Sequence, residues 1–243
     1  MNSGYYAACA GLEAQTQALE LISNNVANLN TTGFRGQQTT FRSLLASSSA
    51  DGGSLNYVVN DFNVLGGSRL DLSAGSLQST GNPLDLAIEG TGFFAVQSKV
   101  GVVYTRNGNF QVAVDGKLTT ASGDLVQGQN GPIVVPSGEV SISPDGTLSV
   151  GGAVAGKLRI VEFSPEYSPT PLGGSYYSAP PQQIRPAPSS YVRQGMIESS
   201  NVNAVSSVVQ LIAVQRRAEM LERAMSSFYS NFDHIAANDL PKV

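Results

Sequence analysis

The 243-residue sequence has one cysteine, Cys9, and one histidine, His234. A single thiol excludes an internal disulfide and every metal site built from several cysteines, and a single imidazole excludes a histidine cluster. Cys9 lies beside an apolar stripe and reads as a small packing residue. His234 falls near the end of a long apolar-patterned segment, where a helix dipole favours a cation. Charge is also scarce: 13% of residues are charged and the net charge is -4, against about 25% charged residues in an average soluble protein. No basic field exists to hold nucleic acid or an anionic membrane. So uncharged a surface suits a chain covered by neighbours better than one diffusing alone. No apolar run approaches the roughly 20 residues of a membrane span. The N-terminal residues lack the basic region and apolar core of a secretory signal, so the general secretory route is not expected.

Catalytic signatures are equally sparse. There is no Gly-x-Ser-x-Gly elbow to pair with His234. The nearest thing to a phosphate loop, Glu89-Gly90-Thr91-Gly92-Phe93, lacks a third glycine and a following helix pattern, and reads as a hairpin turn. Asp85, Asp115, Asp124 and Asp145 stand in turn sequences, where aspartate serves its own backbone. A pair at Asp85 and Asp124 is the least that a wall-glycan hydrolase would require. The chain reads as non-catalytic, with no cofactor and no metal.

What the sequence does have is an apolar stripe at each end. Tyr5, Ala8, Leu12, Gln15, Leu19, Ile22, Val26 and Leu29 follow one another at spacings of three and four, and so do Leu211, Val214, Ala218, Leu221, Met225, Phe228, Phe232 and Ile235. The first helix can start at Asn2 or Ser3 and should fade across residues 28–33, where Asn and Thr side chains compete for the backbone and Gly33 supplies a stop. The last can start at Asn201 or Asn203, and residues 196–240 contain neither Gly nor Pro. The spacing predicts that the two seams pair, with each other or with copies of the chain, as a coiled-coil-like unit. Gly11 is either tolerated or marks the close approach of a neighbouring helix.

Between Leu84 and Phe163 the period falls to two, with runs near 84–88, 93–97, 102–105, 110–114, 133–135, 140–142, 147–150 and 157–163. Turn sequences such as Asn107-Gly108, Asp115-Gly116 and Pro144-Asp145-Gly146 separate them, as in an antiparallel sandwich or barrel-like domain. Pro165 to Pro188 holds seven prolines and reads as a largely extended return path. The expected fold class is α+β: long N- and C-terminal helices forming a coiled-coil-like unit, with an antiparallel all-β central domain. The expected divisions are an N-terminal helix and turn (1–44), a linker or extended arm (45–80), the β-rich domain (81–164), the proline-rich return (165–194) and the C-terminal helix (195–243).

Four ordered segments carry a resemblance. Ser23-Asn24-Asn25-Val26-Ala27-Asn28-Leu29-Asn30-Thr31-Thr32-Gly33-Phe34-Arg35 resembles the N-terminal signature of bacterial flagellar rod and hook proteins. Leu84-Asp85-Leu86-Ala87-Ile88-Glu89-Gly90-Thr91-Gly92-Phe93-Phe94, followed by Tyr104-Thr105-Arg106-Asn107-Gly108-Asn109-Phe110, resembles their core β motifs. Gly195-Met196-Ile197-Glu198-Ser199-Ser200-Asn201-Val202-Asn203 resembles their entry into the last helix, and Gln215-Arg216-Arg217-Ala218-Glu219-Met220 its middle. The resemblance implies an axial structural protein of the flagellar basal body, assembling with copies of itself and with other rod and hook proteins. It also implies export by the flagellar type III apparatus without a cleaved signal, into the rod in the periplasmic space. Phe41 and Leu45 resemble the short export-gate element of such substrates. The length favours a rod subunit over a hook protein, and the brief 45–80 connection favours the proximal-rod member over the distal one. The seam residues expected to drive assembly are Leu12, Leu19, Ile22, Val26, Leu29, Leu211, Val214, Leu221, Met225, Phe228 and Phe232.

Overall fold

The computed structural model describes residues 2–43 and 63–239, with side chains described over 8–38 and 68–230. The chain divides into two compact units. One comprises residues 1–26, 37–69 and 203–243; the other comprises 27–36 and 70–202. The chain therefore passes between units after Val26, Gly36, Arg69 and Val202.

The first unit contains two α-helices, α1 (Asn2–Ala27) and α2 (Ala204–Asp239), and a strand pair, Gln37–Ser43 with Asn63–Leu70. Asn203 starts α2: its Oδ1 accepts the Ser206 N–H at 2.9 Å, satisfying one of the donors a helix leaves open at its first turn. At the other end of α1, Asn25 faces the backbone of Gln37 with both ends of its amide. Its Nδ2 donates to Gln37 O at 2.8 Å and its Oδ1 accepts the Gln37 N–H at 2.9 Å, the exchange that a neighbouring strand residue would make.

The helices are not the long coiled-coil-like unit that the apolar spacing predicts. The apolar cluster of this unit, among the described residues, is short: Ala18, Ile22 and Val214, with Leu19, Val26 and Leu211 packed against it. Among the described residues of α1 the buried positions are Ala8, Ala14, Ala18 and Ile22, and the last three advance in steps of four. A heptad seam needs alternating steps of three and four, with large knobs in facing holes. Alanines let a neighbour come close but offer few methylenes to bury. Gly11 belongs to the same arrangement: a Cβ there would lie 3.3 Å from Leu221 Cδ1, which settles its role as close approach. On α2, Leu211, Leu221 and Met225 are only half-buried, while Val205, Val209, Met220, Phe228 and Tyr229 are exposed.

The second unit is β throughout, apart from a single 3-10 turn at Pro181–Gln183. In its largest sheet, Thr170–Gly173, Tyr176–Ser178, Gly101–Thr105, Phe93–Ser98, Leu125–Gly128, Leu118–Thr120 and Phe110–Val112 lie side by side in that order. Phe93–Ser98 also pairs through Phe93 and Phe94 with Ile160–Phe163, which carries Ile184–Pro186 on its other side. A three-stranded sheet holds Val140–Ile142, Thr147–Val150 and Ala153–Lys157. Two ladders complete the unit: Tyr191–Gln194 on Leu86–Glu89, and Met196–Glu198 on Leu77–Ser79, both antiparallel. The proline-rich return thus enters the sheets and does not merely pass over them. Residues 133–135 form no strand, yet Ile133 and Val135 are buried in the larger core with Leu86, Phe94, Phe110, Leu118, Val126 and Leu148. A second core gathers Phe93, Tyr104, Val161, Phe163 and Tyr177; its rings meet at tilted and edge-on angles, with centroids 4.7 to 5.7 Å apart, the arrangement that the ring quadrupole favours.

Candidate functional site

Three charged side chains meet inside the β unit in a sequence that otherwise has little charge. The first arrives through the turn that follows α1. Thr31 N–H donates to Asn28 O, and Thr31 Oγ1 donates to Asn28 Oδ1 at 3.0 Å, closing a local turn. Gly33 then takes a left-handed conformation (φ 68°), and a Cβ there would stand 2.3 Å from the backbone carbon of Arg106 and the nitrogen of Asn107. Only glycine can bring the chain onto that peptide. Arg35, two residues on, is carried inside.

Arg106 directly follows Gly101–Thr105. Its strand is terminated by a turn in which Asn107 N–H donates to Thr105 Oγ1 and Asn109 N–H donates to Asn107 Oδ1. Glu198 ends the strand Met196–Glu198. All three side chains are fully buried, with exposures of 0%, 1% and 0% for Arg35, Arg106 and Glu198.

Glu198 is the hub. Its Oε1 accepts from Arg35 Nη2 at 2.6 Å and from the Gly75 N–H at 2.8 Å, while its Oε2 accepts from Arg106 Nη1 at 3.1 Å. Its backbone carbonyl accepts the Gly33 N–H at 2.7 Å. Arg106 Nη1 also donates to Ile88 O at 2.9 Å, Nη2 donates to Gly90 O, and the guanidinium carbon lies 5.0 Å from the centre of the Phe93 ring. Burial holds Arg106 below the usual arginine range, at about 10, although Glu198 opposes the shift. Tyr177 Oη accepts the Arg35 backbone N–H at 2.9 Å. Burial pushes its phenol up to about 12 against the pull of that hydrogen bond. Two cations share one carboxylate here, and Arg35 Nε, Arg35 Nη1 and Arg106 Nε find no hydrogen-bond partner among the described residues. Such a cluster is tightly specified, because a charge left without its partner in the interior costs several kcal/mol.

Around the node the motif residues have definite tasks. Thr32 O accepts from Ser175 Oγ at 3.1 Å. Phe34 is buried, and its carbonyl accepts the Asn201 N–H. Asn201 Oδ1 accepts the Gly36 N–H at 2.8 Å, and its Nδ2 donates to the carbonyls of Asp71 and Ser73, each at 3.0 Å. Gly90 presents its carbonyl to Arg106, Gly92 N–H donates to Ser190 Oγ at 2.9 Å, and Phe93 stacks under Arg106. Asn24 is exposed on α1.

Of the expected seam, Ile22 and Val214 are buried. Leu12, Leu19, Val26, Leu29, Leu211, Leu221 and Met225 are half-buried, and Phe228 is exposed. The side chains of Phe41 and Phe232, and Leu45 altogether, lie outside the described residues. The carboxylates weighed for hydrolysis are engaged by side chains distant in sequence: Asp85 is buried and accepts from Asn109 Nδ2 at 3.0 Å, and Asp124 accepts from Tyr176 Oη at 2.9 Å.

Arg35, Arg106 and Glu198 stand inside longer motif strings with nothing in the sequence to set them apart, and Tyr177 lies outside every motif. The available signal is that each of three separate motifs carries one of these charges, Arg35 between Phe34 and Gly36, Arg106 between Thr105 and Asn107, and Glu198 between Ile197 and Ser199.

Comparison with known proteins matches these same stretches. A family model described as flagella basal body rod protein covers residues 6–35, one described as flagellar hook protein FlgE/F/G D1 domain covers 87–150, and one described as flagellar basal body rod FlgEFG protein C-terminal covers 193–237. Arg35, Arg106 and Glu198 fall one in each. Among full-length relatives, the flagellar basal-body rod protein FlgG of Agrobacterium fabrum is 32% identical over 244 residues, spanning 90% of this chain and 93% of that protein. FlgF of Salmonella typhimurium is 32% identical over 247 residues, spanning 95% and 96%. FlgF of Mesorhizobium japonicum is 30% identical over 238 residues, spanning 96% of each.

Proposed function

From the premise that the chain belongs to the flagellar basal-body rod protein family, we propose that it is a non-catalytic structural subunit of the rod. It assembles through its terminal helices into the shaft that carries torque toward the hook. The observation that carries this reading is the shared node: the three family-matched stretches each supply one member of a single buried charge cluster. The node ties residues 33–36 to residues 198–201 within the β unit.

The exposed apolar side chains of α2, Val205, Val208, Val209, Ile212, Met220 and Phe228, offer lateral contact to neighbouring copies and to other rod and hook proteins. The low charge density lets such surfaces approach. We favour the proximal-rod type, supported by the shortness of the stretch between residues 45 and 80. Export through the flagellar type III apparatus, with Phe41 and Leu45 as its recognition element, completes the reading.

The deciding experiment uses a strain that depends on this chain for motility. Leu221→Asp places a charge beside Gly11 on α1 and should abolish rod formation and swimming, while the purified protein keeps the β-sheet circular dichroism of the parent. Normal motility of that strain would overturn the assembly role of the helices.

A further inference from the structure

We propose that Glu198 is a positioning residue that acts as a completion latch: residues 33–36 dock on the β unit only when the C-terminal return delivers this carboxylate. The inference concerns the chain by itself and is independent of what the chain assembles with.

The donors of the N-terminal segment carry the argument. The N–H groups of Gly33, Arg35 and Gly36 donate to Glu198 O, Tyr177 Oη and Asn201 Oδ1. Every one of these acceptors lies beyond residue 176, although Gly33 itself rests on the Arg106–Asn107 peptide. The charges give the same order. Before residue 198 arrives, docking Arg35 would bury a second guanidinium close to Arg106 with no anion between them. That arrangement is repulsive and desolvated at once, so Arg35 stays in water. Glu198 changes the sign of the balance for both arginines, and the same carboxylate takes the Gly75 N–H. One side chain thereby gathers Gly33, Arg35 and Gly75 within the β unit from the end of the strand Met196–Glu198. A chain that ends short of residue 198 cannot hold its N-terminal motif in place.

The test is hydrogen exchange on the full-length purified chain, compared with Glu198→Gln and Glu198→Asp. In the Gln variant, amide exchange at Gly33, Gly36 and Gly75 should accelerate about 100-fold or more, the factor implied by breaking a buried charge pair. Leu118 and Leu158, whose amides bond within the larger core, should lose no more than the overall destabilisation of the chain and so remain protected far above Gly33 and Gly36. The Asp variant retains the charge and should return most of the protection at Gly33. The proposal is overturned if Gly33 and Gly36 are unchanged in Glu198→Gln. It is equally overturned if Leu118 and Leu158 come to exchange as fast as Gly33 and Gly36, which marks a plain core residue, or if Gln and Asp behave alike, which removes charge as the cause.

Discussion

Arg35 Nη2 and Glu198 Oε1 are 2.6 Å apart across 163 residues of sequence, and neither side chain touches solvent. The pair joins the two ends of the chain's β unit at a point where water cannot substitute for either partner. Replacing Glu198 by Ala should therefore lower unfolding free energy by about 3 to 5 kcal/mol. The exposed pair of Arg193 and Glu89, at 2.7 Å but with half of each side chain in solvent, is the control. Arg193→Gln should change stability by less than about 1 kcal/mol. Urea unfolding of the two variants beside the parent checks both.

Gly33→Ala should be among the most damaging single substitutions in the chain. It combines a left-handed backbone with a Cβ driven into the peptide of Arg106 and Asn107. Backbone cannot yield as a side-chain tip can, so the expected loss is about 3 kcal/mol or more. A melting temperature within a degree of the parent would show that the turn relocates instead.

Asn201 distinguishes hydrogen bonding from shape. Asn201→Asp keeps the acceptor for the Gly36 N–H but turns an anion toward the carbonyls of Asp71 and Ser73, which now receive two N–H bonds. The aspartate should destabilise at least as much as Asn201→Ala, by about 1 to 3 kcal/mol, despite being nearly isosteric. Thermal unfolding at neutral pH compares them.

Tyr177 gives a pH signature. Its phenol ionises near 12 in the folded chain and near 10 when unfolded, so the folded state holds the proton more tightly. The associated stability is complete below pH 10 and is lost as pH rises from 10 to 12. Arg106 works in the opposite direction, since its folded value of about 10 lies below its unfolded one, and comparison with Tyr177→Phe cancels that term. The stability advantage of the parent over Tyr177→Phe should shrink by about 1 kcal/mol between pH 9 and 11. An advantage that stays constant over that range would show that the phenol does not resist ionisation.

Much of the fold was legible because its determinants are local. Asn203 as a cap, the glycine- and proline-free run behind it, and the turn dipeptides at Asn107-Gly108 and Asp115-Gly116 each act over a few residues. The apolar spacing predicts a coiled-coil-like unit that the chain does not form, for a related reason. Apolar spacing reveals that a helix has a face, but not what covers it, and the buried face of α1 runs through Ala14 and Ala18 in steps of four. The strands of the proline-rich return escaped notice because ladder partners such as Tyr104 for Tyr177 come from far along the chain. The node was hidden twice over. Its members are distant in sequence, and in a string of letters a buried arginine is identical to a solvated one.

The ladder between Leu77–Ser79 and Met196–Glu198 has an evolutionary meaning. The excursion of the chain through its sheets leaves and re-enters at adjacent strands, like a loop tied at the neck. What lies between residues 80 and 195 can change in length without disturbing the knot only where it still returns Arg106 with the Ile88 and Gly90 carbonyls that hold it, and the Tyr177 hydroxyl that takes the Arg35 N–H. A length change at the Gly151-Gly152 turn, where a Cβ would meet nothing within 4 Å, would leave the coupling of Arg35 to Glu198 intact.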